Sequence, residues 1–219
     1  MTGPADAPGP ADAPGPADAP GPAARRRGRP PRTDSAGTRD RILAAAREEF
    51  SAHGYDRTSV RRIARAAGVD PALVHHYFGT KEQVFAAAVE VAFAPALGAP
   101  DTLAEGPPEA VGERLARFMF DVWENPATRA PLLAILRSAL TDDTAAAVFR
   151  RLVAEQLTHR VAARLRLPDA ELRAQLAAAQ LVGAIVLRYV IRLEPLASAD
   201  PEQLVAHVAP VLQRHLTHP

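Results

Sequence analysis

The 219-residue chain contains no cysteine, one tryptophan and one lysine, Lys81. The lack of cysteine excludes disulfides, thiolate metal sites and a cysteine nucleophile, and it fits a reducing cytoplasm. No Gly-x-Ser-x-Gly elbow, glycine-rich phosphate loop or His-Glu-x-x-His pair occurs, so neither catalysis nor a cofactor is expected. His75 and His76 are adjacent and point to different helix faces, and His53, His159, His207, His215 and His218 fall in no ligand pattern, so no metal site is expected. Long apolar runs are also missing. The longest charge-free helical stretch, residues 174–187, is too short for a membrane span and carries Gln175 and Gln180, while residues 1–24 lack the apolar core of a signal peptide, so no membrane partner is expected. Beyond residue 84 there is no alternating strand pattern of useful length, which predicts an all-α fold.

The net charge of +1 hides an asymmetry. Residues 1–24 carry three acidic and no basic side chains, residues 25–82 carry 13 basic and 7 acidic, and residues 83–219 carry 13 basic and 15 acidic. A positive segment beside a mildly acidic body suits contact with phosphate, where affinity comes from released counterions. The chain opens on a hexad, Gly-Pro-Ala-Asp-Ala-Pro, starting at Gly3, Gly9 and Gly15. So much proline without an apolar face predicts an extended, disordered segment. Arg25, Arg26, Arg27, Arg29 and Arg32 follow, and read either as an arm that reaches DNA or as a solubilising tail.

The pattern in residues 38–84 is the most specific. Thr58 or Ser59 caps a short helix whose buried stripe is Val60, Ile63, Ala64 and Ala67, an i, i+3, i+4, i+7 spacing. Gly68 ends it, and Val69 turns inward. Asp70 caps and Pro71 opens a second, very short helix anchored by Val74 and Phe78, and Thr80 caps a third that begins Lys81-Glu82. Two short helices joined by a glycine turn form a helix-turn-helix, whose second helix fits a DNA major groove.

These residues resemble the tetracycline-repressor (TetR) family of bacterial transcriptional regulators. The resemblance lies in Ile42-Leu43-Ala44-Ala45-Ala46 with Phe50 and Gly54-Tyr55, in Thr58-Ser59-Val60 with Ile63-Ala64, in Ala67-Gly68-Val69, and in Tyr77-Phe78 with Lys81-Glu82. His75 stands where the family usually has tyrosine, so a phosphate contact from that hydroxyl does not carry over. Asp70 replaces the usual serine or threonine cap and sets a negative charge near DNA.

The rest of the chain reads as helices. Val111, Leu115, Phe118, Met119 and Val122 form one stripe after Pro107-Pro108, Asn125-Pro126 starts the next helix, and Pro131 predicts a break or kink in it. Asp142 or Asp143 opens a long helix striped by Phe149, Val153, Leu157, Val161 and Leu165, with Arg150, Arg151, Glu155, Arg160 and Arg164 outside. Residues 169–193 are apolar on nearly every side, so they need cover on every side, from a second copy or as the central helix of a monomer. The last helix starts at Asp200-Pro201 and is expected to be interrupted by Pro210.

The resulting expectation is a disordered repeat and arm over residues 1–36, a helix-turn-helix over 37–84, and a helical ligand-binding and dimerisation domain over 85–219. DNA contacts are assigned to Thr58, Ser59, Arg61, Arg62, Tyr77 and Lys81 on phosphate, with Arg61 or Arg62 alternatively pairing with an acid. Base edges fall to Ala72, Leu73, His75 and His76, with Pro71 flanking them. The resemblance implies a homodimer joined through the last two long helices, a pseudo-palindromic double-stranded operator, repression as the usual output, and release by an unknown small molecule. Candidate pocket residues are Phe118, Phe120, Trp123, Leu136, Phe149, Arg188 and Tyr189. The competing reading is an all-helical small-molecule-binding or protein-interaction scaffold without sequence-specific DNA binding.

Overall fold

Short-range signals mark the turns between the first four helices. The computed structural model describes residues 1–3, 34–152 and 157–218; the hexad repeat, the arginine arm, Val153 and Glu155 lie outside them. Helix α1 spans Asp34–His53, α2 Val60–Ala67, α3 Pro71–Phe78 and α4 Lys81–Phe93. Ser59, not Thr58, caps α2, its side chain accepting the Arg62 N–H. Gly68 then sits at φ 65°, and the Val69 N–H reaches back to the Ala64 carbonyl at 2.9 Å, the pairing that closes a helix through a left-handed residue. A Cβ at Gly68 would meet nothing, so Gly68→Ala isolates the conformational cost. That cost is about 1 kcal/mol, expected as a lower melting temperature, with Gly68→Asn losing less.

Thr80 and Gln83 form a reciprocal capping box at the start of α4. Ile42, Phe50, Tyr55, Ile63, Val74, Phe78, Val84 and Phe85 meet in one core, where the Phe50, Tyr55 and Phe85 rings make edge contacts at 4.9–5.0 Å. The expected boundary at 84/85 falls inside α4. Its far end contacts α8 through Phe93 and Phe149, whose centroids are 5.6 Å apart.

Helix α5 (Ala99–Thr102) follows a 3-10 turn, then come α6 (Val111–Glu124), α7 (Pro126–Thr141), α8 (Asp143–Leu152), α9 (His159–Ala162), α10 (Ala170–Ile185) and α11 (Pro201–Thr217). No strand occurs among the described residues. Asn125 caps α7 by accepting the Ala127 N–H at 3.0 Å, and Asp142 caps α8 by accepting that of Ala145 at 2.8 Å. Three expectations need correction. Helix α7 runs unbroken through Pro131, because a proline in the second turn removes only one ladder bond. Helix α11 likewise runs through Pro210; Pro210 and Ala206 are exposed, so water can reach the freed carbonyl. The helical stripe expected to continue to Leu165 stops at Ala162; a turn at 163–164 follows, and Leu165 lies outside any helix.

Helix α11 lies against α6 at Gly112, where an added Cβ would come within 2.3 Å of the Ala209 carbonyl oxygen. Only glycine allows this approach. Helix α10 continues through a π-helical turn, Val186–Ile191. By length and composition alone, Lys81–Thr102 and Ala170–Ile191, each 22 residues, could cross a membrane, which corrects the view of residues 174–187 as too short. Half of the first is buried in the protein itself. The second is buried on one side and shows Leu172, Leu176, Leu187 and Ile191 on the other.

Candidate nucleic-acid interface

Two inward residues, Val74 and Phe78, set the orientation of α3. With those in the core, Ala72, Leu73, His75 and His76 are exposed, while Pro71 and Tyr77 are half-buried. Asp70 accepts the Ala72 N–H at 2.7 Å, so its charge is occupied by the helix start. His75 Nδ1 lies 2.8 Å from the Gly79 carbonyl. A carbonyl only accepts, so Nδ1 carries the proton and Nε2 of the neutral ring is an acceptor. Such a ring takes an amino hydrogen from adenine or cytosine, and it donates to phosphate only when protonated. His76 packs edge-on against Tyr77 at 5.1 Å.

Around this helix, the sites assigned to phosphate divide by burial. Ser59 and Arg61 are exposed. Thr58 is 2% exposed, and its hydroxyl donates to the Gly54 carbonyl at 2.8 Å and sits 3.1 Å from that of Glu49. It holds the α1–α2 turn, so its hydroxyl proton is already committed to the Gly54 carbonyl. Arg62 pairs with Glu49 at 2.8 Å, so the acid-pairing alternative describes it. Lys81 Nζ stands 4.1 Å over the Tyr55 ring and donates to the Asp56 carbonyl at 3.3 Å. That leaves further N–H groups on the half-buried ammonium and holds it at the N-terminus of α4, where the helix dipole favours an anion.

Two contributors escaped the sequence reading. Arg39 on α1 stacks over Phe78 at 4.9 Å, adding a cation beside α3. Ser138 on α7 accepts the Tyr55 N–H at 3.3 Å, which ties the reading head to the helical body. No spacing rule marks either contact, since each joins residues distant in the chain.

A second site lies in the body, a cavity of about 90 Å³ between α4, α6, α7, α8 and α10. Trp123, Leu136 and Phe149 line it, together with Leu115, Met119 and Leu181. Four assigned residues do not line it. Phe118 packs beside Gly98, and Phe120 is buried among α6, α10 and α11 side chains. Arg188 and Tyr189 converge on the Glu124 carboxylate at 2.7 Å each, and Arg188 also donates to the Leu196 and Ala199 carbonyls at 2.6 and 2.9 Å. Burial, then the hydrogen bond to Glu124, pushes the Tyr189 hydroxyl up to about 12, so it stays a donor at neutral pH. The alanines at 96, 99, 174, 177 and 178 are part of the lining; small side chains facing one another leave the gap.

Comparison with known proteins agrees with this architecture. The family model for bacterial regulatory proteins of the tetR family matches residues 42–88, and that for the tetracyclin repressor-like C-terminal domain matches residues 109–216. A crystal structure of a TetR-family regulator from Streptomyces coelicolor A3 is 39% identical, with a TM-score of 0.68, over 87% of this chain and 99% of that one. The transcriptional repressor AcnR of Corynebacterium efficiens is 42% identical over 50 residues, 23% of this chain and 27% of that protein. The regulator UidR of Escherichia coli K12 is 37% identical over 57 residues, 26% of this chain and 29% of that one. Those two matches thus span little more than a quarter of the curated relatives. The chain belongs to the tetracycline-repressor family of bacterial transcriptional regulators.

Proposed function

We propose that the chain acts as a homodimer that holds a pseudo-palindromic operator in double-stranded DNA, blocks transcription there, and lets go when a small molecule fills the cavity. It acts in the cytoplasm by binding, without catalysis. The division of labour is a helix-turn-helix over residues 37–84 and a ligand-binding, dimerising body over 85–219. The observation that carries the reading is α3, whose two inward residues leave Ala72, Leu73, His75 and His76 free to face a groove.

Pairing is supported by α10. Leu172, Leu176, Leu187 and Ile191 are exposed on it, and Gly183 lies among them with open space at its Cβ position. A stripe of large apolar side chains around a bare backbone suits a close helix–helix contact with a second copy. Two reading helices held about 34 Å apart then meet successive major grooves on one face of DNA. Release requires the ligand to favour the arrangement that does not fit the operator, since equal affinity for both shifts nothing.

Retardation of its own upstream DNA by the purified protein is expected to be salt-sensitive and sequence-selective. Equal binding to unrelated DNA at every salt concentration would overturn the proposal. Within that assay Lys81→Ala is expected to weaken binding to all sequences alike and to reduce the salt slope by about 1 per subunit. His76→Ala should instead change base preference. A Lys81→Ala protein with altered preference and an unchanged slope would remove the phosphate role.

A further inference from the structure

The lining of the cavity sets the chemistry of what fills it, on the reading that it is the effector site. Among its described lining residues there is no charged side chain, and Thr158 joins Trp123 as a polar member. A charged group placed there would lose its hydration and gain no counter-ion. Thr158 is buried and already engaged. Trp123 is not. It is 4% exposed, and its Nε1–H has no hydrogen-bond acceptor among the described residues.

A buried donor without an acceptor is costly and uncommon, so one in a cavity wall points to a missing partner. The ring is also held in place. It stacks on Tyr189 with centroids 6.2 Å apart and planes at 17°, and the Tyr189 hydroxyl is fixed by Glu124 at 2.7 Å. Trp123 also lines the cavity, so a ligand held there is the nearest source of the acceptor that its N–H lacks. We infer that the site takes a neutral, mainly apolar small molecule carrying a hydrogen-bond acceptor such as a carbonyl oxygen, which the Trp123 indole N–H receives. Carboxylates and amines are disfavoured, since the described lining residues offer no counter-charge. The volume of about 90 Å³ is smaller than the ~150 Å³ dry cavity that accommodates benzene, so a one-ring ligand enters only as the wall repacks around it, and Met119 supplies the adaptable side chain.

The test uses three probes of equal heavy-atom count, acetophenone, isopropylbenzene and benzoate, on the full-length protein. Because Trp123 is the chain's single tryptophan, its indole N–H gives one cross-peak in a proton–nitrogen spectrum. Acetophenone is expected to move that peak downfield and saturably; isopropylbenzene is expected to bind without the downfield shift, and benzoate not to bind. By calorimetry, Trp123→Phe should weaken acetophenone by roughly fivefold to tenfold, the value of one hydrogen bond, and leave isopropylbenzene unchanged. Equal losses for both probes, or benzoate binding as tightly as acetophenone, would overturn the ligand class. Should the variant fail to fold, the native cross-peak decides: acetophenone binding without a downfield shift overturns it as well. Operator retention is read separately in the same solutions. Acetophenone bound through Trp123 with the operator still held would refute ligand-driven release and sustain the ligand class.

Discussion

Replacing Leu187 with glutamate is expected to give a folded monomer whose operator affinity is at least a hundredfold lower. Leu187 is 38% exposed, so the chain's own core loses little when it becomes polar. Its place is on the α10 stripe with Leu176, Gly183 and Ile191. In a two-fold contact each subunit offers the same patch, so one substitution sets two carboxylates in a single apolar interface. Burying them unpaired costs more than the leucines contributed. The loss on DNA follows from linkage. Two heads on one body engage the second half-site at high effective concentration, an advantage on the order of 10²–10⁴. Sedimentation and retardation are measured on the same preparation. A variant that remains dimeric would move the interface away from α10, and a monomer with undiminished affinity would remove the need for pairing.

Glu124→Ala is expected to lower stability by about 3 kcal/mol, or roughly 10 °C in melting temperature for a chain of this size. Arg188 is 7% exposed, and two of its nitrogens donate to Glu124 at 2.7 and 3.0 Å. Removing the carboxylate strands a guanidinium in the interior and takes the acceptor from Tyr189. The remaining Arg188 contacts to the Leu196 and Ala199 carbonyls satisfy donors but do not neutralise charge. Glu124→Gln keeps an acceptor oxygen and should lose about half as much, which separates hydrogen bonding from charge. Thermal unfolding of the three proteins checks both values, and a Glu124→Ala protein that melts with the wild type would show that solvent reaches Arg188 freely.

The helix-turn-helix was legible because its instructions are local. Ser59, Gly68, Asp70 and Thr80 each act on backbone groups within a few residues, and the inward pair Val74 and Phe78 follows from helical period alone. The partners that the sequence left unnamed share one property. Thr58 bonds the Glu49 carbonyl nine positions away, Arg62 meets Glu49 across thirteen, and Lys81 meets Asp56 across 25. A hydroxyl or a cation has many possible partners in a chain, and only packing selects one. Pro131 and Pro210 err in the opposite direction. The local rule says stop, yet the helices continue because losing one hydrogen bond costs less than giving up a packed face.

By itself the sequence determined an all-helical chain, where α2, α3 and α4 begin, and which face of α3 points outward, since short-range geometry decides each of these. It also marked residues 169–193 as needing cover on more than one side. The tertiary structure decided which side the protein covers itself, that Arg188 is buried and answered by Glu124, 64 positions away, and that a gap lies beside Trp123. A cavity is an absence of atoms among helices distant in the chain, so no residue encodes it alone, and it exists only once α4, α6, α7, α8 and α10 have packed.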